Sequence, residues 1–289
     1  MEKRAAVTAG TGGIGLETAL GPARAGYTVT VVGRDAERGG AATERIAAVA
    51  TAEDPVFMRA DLASLDETRA LAARLAAAGP LHVLVNNGGA MYPQRRQTVD
   101  GIEATFAVNH LWPYLLTELL LDTLRTTGES RIVNVSSGAV RAAKRTFDAV
   151  EPPGGYYVFP WYGRANLAYT LHLAERLGST GDSVFAADPG GAATAMTDGT
   201  MRVSTIVSPG LRPAWPLVRR MFARSTSGPA STAARPSVLA ATEAALDGKT
   251  GLLIGPDLRP ATPSRWSADP RMVRDVLALS RQWAPLTAE

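Results

Sequence analysis

The chain has 289 residues, 46% of them hydrophobic, enough to bury the core of one sizeable α/β domain. Its formal charge is +3, with basic and acidic residues interspersed rather than drawn into a stripe, so a nucleic-acid surface is not expected, and the absence of cysteine excludes disulfides and thiolate catalysis. No long apolar run and no leader-like segment stand out, which points to a cytoplasmic protein without a membrane span.

Short β-branched runs alternate with alanine- and leucine-rich segments of helical character. Strands are predicted at Ala5 to Thr8, Thr28 to Gly33, Pro55 to Arg59, His82 to Asn86, Arg131 to Ser136 and Ser183 to Ala187, with helices between them. This alternation implies a single Rossmann-type domain over residues 1–289, a doubly wound parallel sheet of about seven strands with its ligand crevice at the carboxyl ends. From Pro209 the alternation fails, and Pro213, Pro216, Pro229 and Pro236 interrupt an apolar, arginine-dotted stretch. A lid or substrate loop near the C-terminal third, about 195–236, is the expected reading. Beyond it, Ser237 to Leu246 reads as a helix, Gly251 to Ile254 as a last strand and Asp269 to Trp283 as a terminal helix.

The first strand runs into Gly10-Thr11-Gly12-Gly13-Ile14-Gly15, a glycine-rich turn opening a helix. Glycines let the backbone approach a pyrophosphate, and the unpaired N–H groups of the helix start meet its charge, so a dinucleotide is the expected ligand. Two registers fit: Gly10, Gly12 and Gly15 as G-x-G-x-x-G, or Thr8-Ala9 with Gly13-Ile14-Gly15, of which the second is preferred. After the second strand stands Gly33-Arg34-Asp35. Arg34 is placed to receive a 2′-phosphate while Gly33 takes the position an acid would hold, so NADP(H) is favoured, with Asp35 keeping NAD(H) as the alternative.

Further motifs follow in a recognisable order: Asp61-Leu62, Asn86-Asn87-Gly88-Gly89, Asn109, Ser137, Tyr162, then Pro189-Gly190 with Thr194. Together they resemble the short-chain dehydrogenases/reductases, and the wording around Asp61-Leu62 and Val108-Asn109-His110 is closest to the retinol dehydrogenase and protochlorophyllide reductase-like branch. The resemblance implies that Asp61 and Leu62 contact the adenine, and that Asn87, Gly88 and Gly89 line the cofactor ribose. Pro189, Gly190 and Thr194 complete the cofactor site. By the same resemblance Ser137 polarises a carbonyl oxygen, Tyr162 donates a proton, Asn109 anchors a relay water, and the family habit of pairing through helices implies a homodimer or homotetramer. Asn86 and Asn87 have a plainer reading as stitches between strands.

Asn166 stands where the family places a lysine one turn beyond the tyrosine. An amide can bond a ribose hydroxyl but supplies no charge to stabilise a tyrosinate, which favours reduction over oxidation. Two more departures are Ala9 for a glycine and Trp112-Pro113 after Leu111, where the proline is expected to distort the helix near Asn109. Trp112, Tyr156, Tyr157, Trp161 and Trp215 crowd the expected substrate approach, pointing to a bulky apolar small molecule, polycyclic compounds included. The leading reading is an NADPH-dependent ketoreductase. The alternatives are non-redox chemistry in the same pocket (isomerase, cyclase or dehydratase) and a non-catalytic NADP-binding partner protein.

Overall fold

The computed structural model describes residues 2–90, 92, 95–138, 140, 159–191, 228–261, 263 and 269–287, of which 159–161 and 261 by backbone alone. Their strands are β1 (Lys3–Thr8), β2 (Tyr27–Gly33), β3 (Val56–Arg59), β4 (Val83–Asn86), β5 (Arg131–Val135), β6 (Ser183–Ala187), β7 (Leu252–Ile254) and β8 (Pro260–Ala261). They form one sheet in the order β3-β2-β1-β4-β5-β6-β7-β8, parallel throughout except that β8 pairs antiparallel with β7. The order reverses between β1 and β4, and crossovers on both sides of that point leave a crevice above the strand ends.

Among the described residues six helices fill the crossovers: α1 (Gly13–Arg24), α2 (Ala36–Ala47), α3 (Leu65–Ala77), α5 (Trp112–Arg125), α6 (Phe159–Leu177) and α7 (Ala230–Thr242), with the single turn α4 (Ala104–Phe106) leading into α5 and α8 (Pro270–Trp283) following the last strand. Successive strand residues point to opposite faces, so Ala6, Leu84, Ile132 and Val184 pack beneath Leu71, Leu115, Tyr169 and Leu173, while Val7, Val85, Val133 and Phe185 pack beneath Leu16, Ala19, Ile46 and Ala240. Burial on both faces is why these strands read as continuous apolar runs. Helix α8 lays Met272, Val276 and Leu277 on Tyr169, Leu173 and Leu177. At about 1.5–3 kcal/mol for each fully buried side chain, those three residues are a substantial anchor.

Helix starts are fixed by side chains that take up unpaired N–H groups. Asp35 accepts from Arg38 N, Ser64 from Glu67 N and Asp269 from Arg271 N. Pro113 has the expected effect: between α4 and α5 the chain makes a π-turn, Ala107–Leu111, with Trp112 N donating five residues back to Ala107 O. Proline has no N–H for the Asn109 carbonyl, so the regular ladder cannot continue through this point.

One boundary is corrected. Residues 230–236, expected to belong to the lid, are already helix: α7 starts behind Pro229 and carries Pro236 inside it. Proline punctuates a helix less firmly when the site is buried and packing holds the turn, as Ser237, Ala240 and Ala241 do here. Among the described residues, no helix is long and apolar enough to cross a membrane.

Candidate active site

The turn between β1 and α1 is tight enough that two of its residues, Ala9 at φ 48° and Gly13 at φ 52°, take the left-handed conformation. A Cβ on Gly10 would lie 2.8 Å from both Val31 Cγ1 and Val7 O, and one on Gly15 would collide with the Ala9 carbonyl. Both registers read from the sequence are therefore used, Gly10 and Gly15 for close packing and Gly13 for backbone hand. Helix α1 has no side-chain cap and no acid in its first turn. The N–H groups of Gly13, Ile14 and Gly15 are thus left for an anion, which is the arrangement a pyrophosphate needs. Across the crevice, Thr8 Oγ1 donates to Val85 O and accepts from Asn87 N at 2.9 Å and Gly88 N at 3.4 Å, tying the loop after β4 to the glycine turn. Asn87 Nδ2 reaches Thr8 O at 3.3 Å.

At the adenosine end, Arg34 is exposed beyond β2. A Cβ on Gly33 would fall 2.6 Å from Thr11 Cγ2, so no acid fits at that position. Asp35 is occupied as the cap of α2, its Oδ1 2.9 Å from Arg38 N. Arg38, missed from sequence, holds its guanidinium over Gly12, 2.5 Å from where a Cβ would stand. Its signal lay in the cap, since a helix beginning after Asp35 turns its first-turn side chains back toward the glycine loop. Asp61 is fixed by its own turn, accepting from Ala63 N at 3.0 Å and donating through its backbone to Glu67 Oε2 at 2.8 Å. Leu62 is half-buried, 3.2 Å from a Cβ built on Gly88.

At the chemical end, Ser137 follows β5, and its carbonyl accepts from Val140 N in a tight turn. Tyr162 on α6 is fully buried, its ring tilted on Phe106 at 5.3 Å. Asn166, one turn on, is 5% exposed, and its Oδ1 has no hydrogen-bond partner. A buried orphan acceptor beside the tyrosine is what a ribose hydroxyl would satisfy. The helix is pinned at this point by a buried chain: Asn86 Nδ2 donates to Thr117 Oγ1 and Asn134 Oδ1, Asn134 Nδ2 to Thr170 Oγ1, and Thr170 Oγ1 to Asn166 O, all within 2.7–2.9 Å. The strand-stitching reading of Asn86 is thereby realised.

Asn109 is held by the backbone on either side of it. Nδ2 donates to Ala90 O at 2.7 Å and Thr105 O at 2.8 Å while Oδ1 accepts from Ala90 N, so the side chain clamps the loop carrying Gly88 and Gly89 to the π-turn. Trp112, expected at the substrate approach, is instead a core residue, 1% exposed with Cζ2 2.7 Å from a Cβ built on Gly88. Its indole is the floor under the cofactor loop, and Gly88 is glycine because the indole occupies that space. Asp188, also missed, is buried before Pro189 and accepts from both Gly138 N and Gly190 N at 3.0 Å. It joins the serine loop to the Pro189-Gly190 turn, where Gly190 is left-handed at φ 66°. Thr194, Tyr156, Tyr157 and Trp215 lie outside the described residues, and Trp161 is described only as part of α6. Among the described residues, no cluster of His, Asp and Glu is placed to hold a metal.

The sequence model of the short chain dehydrogenase family matches residues 3–149. A polyprenol dehydrogenase from Danio rerio is 37% identical over 262 residues, covering 87% of this chain and 78% of that protein. Retinol dehydrogenase 12 from Mus musculus is 38% identical over 188 residues, 64% of this chain and 60% of its own length. Among solved structures, the RhlG/NADP active-site complex from Pseudomonas aeruginosa superposes with a TM-score of 0.67 at 26% identity, over 88% of this chain and 94% of that one. With its 3-2-1-4-5-6-7 parallel sheet, glycine turn, serine and tyrosine, the chain belongs to the short-chain dehydrogenase/reductase family, in its retinol dehydrogenase-like branch. It is an oxidoreductase that takes a nicotinamide cofactor, and the cradle at Gly10 to Gly15 and the orphan Asn166 Oδ1 fit that group.

Proposed function

We propose that the protein is an NADPH-dependent reductase of carbonyl groups on hydrophobic small molecules. The observation that carries this reading is the pairing of an arginine-flanked glycine turn with a tyrosine whose neighbour at 166 is uncharged. Arg34 beyond β2 and Arg38 over Gly12 form a cationic mouth, in which Asp35 spends one carboxylate oxygen as a helix cap. A 2′-phosphate is recognised there by the two guanidinium groups, which a bare ribose does not engage with charge. The bound nicotinamide supplies the hydride. Ser137 Oγ polarises the carbonyl oxygen, Tyr162 gives its phenolic proton to that oxygen, and Asn166 Oδ1 orients the cofactor by accepting from a ribose hydroxyl. Because Asn166 carries no charge, it lends a tyrosinate no support, which favours reduction, the direction that begins with the protonated phenol. Asn109, Asp188 and Trp112 act as positioning residues. Similarity to relatives named for polyprenol and retinol supports a hydrophobic substrate of that type.

Fluorescence titration with NADPH and NADH, followed by turnover of all-trans-retinal, tests the reading. NADPH should bind more tightly, and each of Arg34→Ala and Arg38→Ala should weaken NADPH alone, by about tenfold if one charge-assisted hydrogen bond is lost. Tyr162→Phe should lower turnover on the order of 10² to 10⁴ while keeping cofactor affinity. Equal affinities for the two cofactors, or full activity in Tyr162→Phe, refute it.

A further inference from the structure

Strands β5 and β6 end at Val135 and Ala187, and the bond from Ser136 N to Ala187 O, 2.7 Å long, closes their ladder. Two loops leave it, one carrying Ser137 and Gly138, the other Pro189 and Gly190. Asp188 spans the two. Its backbone N–H donates to Ile254 O of β7 at 2.9 Å, and its buried Oδ1 accepts from Gly190 N and from Gly138 N, both at 3.0 Å. One side-chain oxygen thus carries on across the loops the tie that the backbone ladder makes below them.

The bond to Gly190, two residues on, is a local turn that an aspartate makes with its own backbone. The bond to Gly138 is different in kind: the two residues are 50 positions apart, and the local turn would close without it. Gly138 also leaves room for the carboxylate. A Cβ there would stand 3.1 Å from Asp188 Oδ2, so a residue with no side chain adjoins Ser137 where the acid arrives. On the far side Gly190 is left-handed at φ 66°, and a Cβ on it would be 3.2 Å from Pro256 Cβ, so the turn rests against the loop after β7. The backbone beside the serine and the backbone of the cofactor turn therefore share one acceptor, and neither moves without drawing on the other.

We propose that Asp188 is a positioning residue that couples the cofactor turn to Ser137, so that a cofactor held at Pro189-Gly190 sets, through the shared oxygen, where the serine stands. This rests on the reductase reading for the role of Ser137, but the first of its two tests needs no turnover. Hydrogen exchange followed by mass spectrometry, with and without NADPH, compares wild type with Asp188→Asn and Asp188→Ala. In wild type NADPH should slow exchange in both 187–190 and 135–138. In Asp188→Ala it should slow only the first segment, and in Asp188→Asn, whose neutral oxygen is a weaker acceptor, the second should be slowed less than in wild type. No slowing at 135–138 in wild type, or slowing undiminished by the substitutions, overturns the proposal, and should the Ala variant not fold, the Asn variant decides. The second test is a double-mutant cycle on reduction of all-trans-retinal, with rates counted per NADPH-binding site. Asp188→Asn should lower kcat about tenfold with KM nearly unchanged. In a Ser137→Ala background it should lower kcat no further, because a group acting through the serine has nothing left to position. Additive losses, which a merely structural role gives, overturn it. An Asp188-dependent exchange effect in a protein that reduces no aldehyde or ketone would keep the coupling and remove the reductase reading. Reduction of retinal with additive losses would do the reverse.

Discussion

His110 should make the fold lose stability as pH falls, by an amount the structure sets. The ring is fully buried, stacked on Phe106 at 5.5 Å and edge-on to Tyr169 at 6.4 Å. Its Nε2 lies 2.7 Å from Ser280 Oγ on α8, and that hydroxyl donates to Val276 O at 2.7 Å. The one hydroxyl proton being so occupied, Nε2 must carry the hydrogen, and Nδ1 is left bare with no partner. Burial pushes the imidazole from 6.5 down to about 3. A base whose folded pKa is depressed binds protons mainly in the unfolded chain between those two values, so stability rises with pH across that window and falls on acidification. From pH 8 to pH 5 the unfolded state gains about 2 kcal/mol from this one residue. Urea unfolding followed by tryptophan fluorescence at pH 8, 7, 6 and 5 measures it in wild type and in His110→Phe, which keeps the aromatic volume and cannot titrate. The variant should start less stable, with the His110–Ser280 hydrogen bond lost, but its decline should be shallower by about 2 kcal/mol. His82 and His172 are also lowered, chiefly by burial, and act in the same sense in both proteins, so they cancel in the comparison. Parallel slopes would refute the assignment of a neutral, buried His110.

Ala9→Gly should stabilise the protein by up to about 1 kcal/mol, because the left-handed strain at φ 48° is about 1–2 kcal/mol and glycine's greater unfolded freedom offsets about half of it. Thermal unfolding without cofactor checks this, and a destabilised variant would mean that the Ala9 methyl packs more usefully than its backbone is strained. Asn166→Lys should raise alcohol oxidation more than carbonyl reduction at neutral pH, since only oxidation begins with a deprotonated tyrosine that an ammonium would stabilise. Equal changes in the two directions, in a folded and cofactor-binding variant, would place residue 166 away from the tyrosine hydroxyl.

The parts of this fold legible in the sequence were those in which one residue type answers to one local demand. Val7, Val31, Val85 and Val133 needed only to be apolar at a two-residue spacing on a covered sheet, and β1, β2, β4 and β5 lie within a few residues of their expected bounds. Gly10, Gly13 and Gly15 answered to backbone approach and hand, and Pro113 to a broken ladder. What stayed hidden was set by tertiary partners. Trp112 reads as facing a ligand because aromatic residues near a site often do, but nothing local says that a glycine 24 positions earlier leaves room for its indole. Asp188 and Arg38 carry no motif; each acquires its place only when two loops are brought to one end of the sheet. Pro236 reads locally as an interruption, and burial overrides it.

Two of the departures from the family pattern, Ala9 and Asn166, fall on side chains while the frame beneath them is kept. Ala9 adopts the left-handed backbone that the family's glycine would take freely, so the turn has its shape without the residue best suited to it. Asn166 is held through its carbonyl by Thr170, and through Thr170 and Asn134 by Asn86 and Thr117, none of which involves the amide of Asn166 itself. Position 166 is therefore fixed by the helix and sheet whatever side chain it bears. Exchanging a cation for an amide there alters the charge beside Tyr162 and leaves the geometry alone. On the proposed function, that separation would let a single residue shift the preferred direction of catalysis, and it is why Asn166→Lys isolates charge from position.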